Sequence, residues 1–232
     1  GGAELRGFLS RAYVTAAAAE AGKRLVVGAV HDGAPNDLLF FELDGRLPDA
    51  NELPRFRIVV DHVVTSLSMN GDLLAVAAHT EALRLLQHGK GAASAHDGGA
   101  WNDVTAEKGL PTDLTASSVL FMDMDNDGRV DLLVAAAAGG IRVFIQSATG
   151  SFVDAGVDFI QGELPGVVER MEIGKTDDGQ SVVFLDTGSD AIFSRRRALQ
   201  IEWVADGTRR LTSCQSGHPS SVRKRDSVVR IL

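Results

Sequence analysis

Short apolar runs separated by polar, glycine-rich breaks recur along this chain, and their spacing is regular. One set reads Leu25-Val-Val-Gly-Ala29, Leu74-Ala-Val-Ala-Ala78, Leu132-Leu-Val-Ala-Ala136 and Val182-Val-Phe-Leu-Asp186, at offsets of 49, 58 and 50 residues. Runs of four to eight apolar residues bounded by turn signals predict buried strands. A third strand per unit is expected at Leu38–Leu43, Leu83–Gln87, Ile141–Ile145 and Ala191–Ser194. A second set of landmarks closes each unit: Leu47-Pro-Asp49, Trp101-Asn-Asp103, Phe152-Val-Asp154 and Trp203-Val-Ala-Asp206, at offsets of 54, 51 and 51. Two independent landmarks holding one period of roughly fifty residues predict a repeat architecture.

The alanine runs Ala16–Ala19 and Ala135–Ala138 favour helix on propensity alone. The repeat frame places them in or beside strands, and tertiary context overrides propensity. In the same frame Trp101, Phe152 and Trp203 are expected in the core between units rather than as exposed ligand-stacking rings.

The third unit carries distinctive chemistry. Asp123-Met-Asp125-Asn-Asp127-Gly128-Arg-Val-Asp131 sets carboxylates at positions 1, 3, 5 and 9 of a short loop, with glycine at position 6. A hard cation such as Ca²⁺ takes six to eight oxygens, and loops of this spacing supply them from alternating side chains and a backbone carbonyl. The expected ligands are Asp123, Asp125, Asp127, Asp131 and the carbonyl of Arg129. An EF-hand is excluded, because position 12 is Val134 and the flanks are strand-like. Four acids so close would repel one another without a counter-ion. The second unit has Ser66, Ser68 and Asn70 in the corresponding places, and the fourth has Asp177, Asp178 and Gly179 without the leading pair. No ligand role is expected there.

The acidic loop, the following Leu132-Leu133-Val134, then Gly139-Gly140-Ile141-Arg142-Val143-Phe144 and Gly150-Ser151-Phe152-Val153-Asp154 resemble the FG-GAP/VCBS-type repeat of integrin-like β-propellers and many secreted bacterial proteins. The resemblance covers residues 116–159 and implies one four-stranded blade per repeat, with Ca²⁺ bound between the first two strands. The expected fold is therefore all-β, with about four propeller blades at 10–52, 57–106, 116–157 and 166–206. The segment 207–232 is expected to be a basic C-terminal stretch that begins a further strand or blade. Resembling propellers close with more blades than four, so the ring is expected to be completed by further blades of a longer chain or by a partner.

Charge narrows the partners. The net charge is −8, but residues 195–232 hold nine Lys/Arg against three acids, leaving −14 on the remainder. The acidic body argues against nucleic acid, and the scattered arginines of the basic part lack interleaved aromatics for base stacking. No apolar run is long enough to span a membrane. Cys214 is the one cysteine, so an internal disulfide is excluded. The six histidines show no ligand spacing, and neither a phosphate-cradling glycine loop nor a nucleophile elbow is present. These features lead to the expectation of a protein that is not an enzyme. It would be a calcium-binding propeller presenting a recognition or scaffolding surface to protein or glycan, in an extracellular or periplasmic setting. The alternatives are a structural part of a larger assembly and an accessory propeller of a carbohydrate- or lipid-active enzyme.

Overall fold

A computed structural model describes residues 12–20, 23–31, 36–43, 45–46, 48, 53–89, 101–156, 160–161, 167–175, 181–187, 195–203 and 209–213. Among these every regular element is a strand. The fold is all-β, and the described residues build four sheets in sequence order, each based on a four-stranded antiparallel meander of the propeller type. The first holds β1 (Ala12–Glu20), β2 (Arg24–His31), β3 (Asn36–Glu42) and β4 (Phe56–Val60). The second holds β5 (Ser66–Asn70), β6 (Leu73–Ala78), β7 (Glu81–His88) and β8 (Trp101–Asp103). The third holds β9 (Ala116–Met122), β10 (Asp131–Ala136), β11 (Ile141–Gln146) and β12 (Phe152–Asp154). The fourth places β14 (Arg170–Lys175), β15 (Ser181–Thr187), β16 (Arg195–Trp203) and β17 (Arg209–Ser213) side by side, with the short β13 (Ile160–Gln161) parallel to β17 at its edge.

The apolar runs read from the sequence form the second and third strands. β6 and β10 are buried along their whole length, as strands covered on both faces must be. Successive side chains alternate between faces, and that alternation distributes them between neighbouring sheets. Leu74 and Val76 pack with Val26, Leu38 and Phe40 of the first sheet, whereas Leu73, Ala75 and Ala77 pack with Leu132, Val134 and Phe144 of the third. Leu133 and Ala135 turn the other way, onto Met171, Val183 and Leu185 of the fourth. Each internal sheet is thus sandwiched, and the core lies between sheets.

The alanine-rich β1 is a strand whose Ala16 and Ala18 pack against the core between first and second sheets. Phe152 is buried between second and third sheets, and Trp101 packs at the boundary of first and second. Trp203 ends β16, the third strand of its sheet, and β17 closes that sheet instead. In the first sheet the closing strand is β4, downstream of the 47–49 landmark. The third strand expected at 191–194 lies outside the described residues, as do Cys214, Ser227–Leu232 and the 177–179 loop.

The first strands of successive sheets lie beside one another, β1 by β5, β5 by β9 and β9 by β14. Side-chain hydroxyls join them. The Val119 and Phe121 N–H groups of β9 donate to Ser66 Oγ (3.2 Å) and Ser68 Oγ (3.0 Å) of β5. Thr65 Oγ1 donates to the Ser117 carbonyl at 2.8 Å. One sheet onward the pattern repeats: Ser117 Oγ donates to the Val168 carbonyl, and the Met171 N–H donates to Ser118 Oγ at 3.0 Å. Edge amides of β9 and β14 are covered in this way, which removes a template for unwanted pairing.

A single tight turn at 105–109 ties the second sheet to the third. Asp103 Oδ1 accepts from the Thr105 N–H and hydroxyl, Thr105 Oγ1 accepts from the Leu85 N–H, and the Phe152 N–H donates to the Lys108 carbonyl at 2.7 Å. Gly109 closes the turn at φ +80°, and a Cβ there would sit 2.8 Å from the Phe152 carbonyl oxygen. Left-handed backbone at a non-glycine residue costs about 1–3 kcal/mol, and the steric conflict with a fixed carbonyl adds to it. Gly109→Ala is expected to lower stability by at least about 2 kcal/mol in denaturant unfolding. Wild-type stability in this variant would show that the turn does not dock as described.

Candidate metal centre

The loop between β9 and β10 is built by local rules. Met122 and Asp131 are cross-strand partners, so residues 123–130 form the connection of a hairpin. Met124 is fully buried among Met122, Leu133 and Val143, pinning the loop onto the core between third and fourth sheets. The residues on either side of it, Asp123 and Asp125, stand at the partly exposed side. Asn126 has φ +60° and Gly128 φ +83°. Asparagine and glycine are the residues that tolerate this left-handed backbone, and the two turns curl the loop back toward its start.

The carboxylates organise the backbone. Asp123 Oδ1 accepts from the Asn126 N–H (2.6 Å) and its Oδ2 from the Gly128 N–H (3.3 Å). Asp125 Oδ1 accepts from the Asp127 N–H at 3.2 Å. Asp131 is fully buried and accepts from the Met124 N–H through Oδ2 (2.6 Å) and from the Gln146 N–H through Oδ1 (2.8 Å). Burial pushes its carboxyl above the ordinary range. The two N–H donors pull it back down in part, and the negative charges of Asp125 and Asp123 push it up further.

Asp123, Asp125 and Asp131 each offer an oxygen, and the three atoms lie within 4.8 Å of one another. That trio could hold a metal ion. Its donors are all hard oxygens, the set that suits Ca²⁺, Mg²⁺ or Mn²⁺ rather than zinc or copper. Asp127 and Arg129 stand beside it and engage each other. The Asp127 carboxylate takes the Arg129 backbone N–H at 2.8 Å and forms an ion pair with the guanidinium, while Arg129 Nε donates to the Gln146 carbonyl at 2.8 Å.

The corresponding place in the second sheet is different. Asn70 pairs with Leu73 across a two-residue Gly71-Asp72 turn, which leaves no loop to enclose an ion. Ser66 and Ser68 lie within β5, where their hydroxyls meet β9. Their role in joining sheets was not evident from the sequence. The signal that could have exposed it is the recurrence of hydroxyl residues at Thr65-Ser66 and Ser117-Ser118, 52 residues apart.

The fold and loop together define an all-β chain of propeller-type blades with, among the described residues, one carboxylate trio on a blade hairpin. No protein-family model matches the chain, and no curated protein matches it. Similar solved structures include an engineered GH43 glycoside hydrolase with endo-xylanase and exo-arabinofuranosidase activity. It is 17% identical, with 88% of this chain and 40% of that chain covered and a TM-score of 0.46. The β-propeller domain of Myceliophteria thermophila Cps50 (Swd1) is also similar, at 14% identity, 88% and 58% coverage and a TM-score of 0.45. This chain therefore covers only 40% and 58% of the length of these two neighbours. With a glycoside hydrolase among these similar folds, the expectation that the chain is not an enzyme is withdrawn, and neither catalysis nor its absence is assigned. Propeller architecture and lack of a nucleophile elbow do not decide against catalysis, because function resides in sites and not in folds.

Proposed function

We propose that this chain is a calcium-binding β-propeller module of the FG-GAP/VCBS type, presenting its blade surface for recognition of protein or glycan. The convergence of Asp123, Asp125 and Asp131 on one point carries this reading. In it, Asp127 and the Arg129 carbonyl complete the protein ligands, and water fills the remaining positions. Bound calcium would neutralise the carboxylates that now face one another, fixing the hairpin between the first two strands of the third blade. Asp131 reaches the site from a buried position, held by two backbone N–H groups, so little ordering is required of it on binding.

Calorimetric titration of the chelator-treated chain tests the reading. One Ca²⁺ per chain is expected, with an accompanying rise in melting temperature, because a ligand that binds only the folded state stabilises it. Asp125→Ala removes an oxygen of the trio and is expected to abolish both effects. If wild-type protein gives neither heat nor thermal shift with calcium, the reading is wrong.

A further inference from the structure

The loop carries its own cation. Arg129 pairs with the Asp127 carboxylate through its guanidinium and anchors itself through Nε on the Gln146 carbonyl. The Gln146 N–H in turn donates to Asp131 Oδ1. Asp127 is thereby held on the arginine, and among the described residues the oxygens that converge belong to Asp123, Asp125 and Asp131. The Arg129 and Asp127 side chains are 39% and 22% exposed, so the pair is partly screened but not dissolved in bulk water.

From this geometry we infer that Arg129 is an internal competitor that sets the cation affinity of the loop. The inference rests on the calcium reading above. A divalent ion that takes Asp127 as a ligand must displace the guanidinium from that carboxylate. Arginine is always charged and presents a rigid fork suited to a carboxylate, so the exchange opposes binding at every accessible pH. The positive charge beside the loop also repels the incoming ion. A unit charge about 6 Å from a divalent ion in water opposes it by an amount worth about a factor of ten in affinity.

Arg129→Gln in the full chain is expected to raise Ca²⁺ affinity by more than the roughly tenfold that repulsion alone supplies, measured by calorimetry, with the part due to competition lost when Asp127 is absent. Arg129→Lys keeps the charge and should stay near wild type, which also controls for folding. The same Arg129→Gln change made in an Asp127→Asn background separates the two components, since contacting residues couple and independent ones add. Competition for Asp127 predicts a clearly smaller gain in that background. Equal binding by wild type and Arg129→Gln would overturn the inference while leaving the calcium reading intact. An undiminished gain in the Asp127→Asn background would also overturn it, by showing that Asp127 is not what Arg129 competes for. Absence of binding by every variant would sink the calcium reading and the inference with it.

Discussion

Asp131→Ala should destabilise the chain by about 2–6 kcal/mol, because it strips the acceptor from two backbone N–H groups at roughly 1–3 kcal/mol each. Those groups belong to Met124 and Gln146, and the carboxylate that serves them is fully buried. Asp131→Asn should recover only part of the loss. One amide oxygen can accept, but the amide nitrogen then faces a second N–H donor. The effect is also tied to pH. Burial raises the folded carboxyl above its ordinary value of 3.8. In chelator, the folded state therefore binds the proton more tightly than the unfolded state. The stability this contributes is fully present below the ordinary value and is lost as pH rises through the folded one. The deficit of Asp131→Ala relative to wild type should accordingly shrink with rising pH in chelator. Saturating calcium reverses the trend, since the ion requires the charged carboxylate. Thermal melts across this range, with and without calcium, measure both slopes. Identical slopes would contradict the assignment of Asp131 to the cation.

Phe144→Ala is expected to cost about 3–5 kcal/mol, the usual range for emptying a buried aromatic site. Phe144 is fully buried and packs with the Leu73, Leu85, Leu132 and Phe152 side chains, which come from two different sheets. A cavity there removes contacts across the boundary between them as well as within one blade. The midpoint of urea unfolding should fall with little change in slope. A loss below about 1 kcal/mol would mean that neighbouring side chains collapse into the space, and that this boundary is less tightly packed than described.

The strands most legible in the sequence are those covered on both faces. Leu74–Ala78 and Leu132–Ala136 are apolar at nearly every position because neighbouring sheets lie on each side. The edges were harder to read. Ser66-x-Ser68-x-Asn70 keeps the spacing of the acidic loop and so looks like a worn-down copy of it, yet a two-residue turn makes it a strand end. What separates the two is loop length, which residue spacing alone does not convey. The trio Asp123, Asp125 and Asp131 was legible from spacing, because the period of the loop aims alternate carboxylates the same way. The pairing of Asp127 with Arg129 was not. It depends on how a long side chain folds back on its own loop and onto Gln146, fifteen residues beyond Asp131. The expectation that the chain is not an enzyme is withdrawn for another reason. It was drawn from motifs that were missing, and missing motifs exclude only the chemistries that need them.

The serine hydroxyls between sheets have a consequence for amide hydrogen exchange. Most strand amides are shielded by a backbone carbonyl of their own sheet, and their exchange reports the opening of that sheet. The amides of Val119, Phe121 and Met171 are shielded by side chains of the preceding sheet. They can meet solvent when two blades part, even while each blade keeps its own ladder. Sub-global openings of this kind occur at lower free energy than global unfolding. These three amides are therefore natural reporters of blade separation, and their exchange rates set against those of β10 would measure how firmly each blade is held to the next.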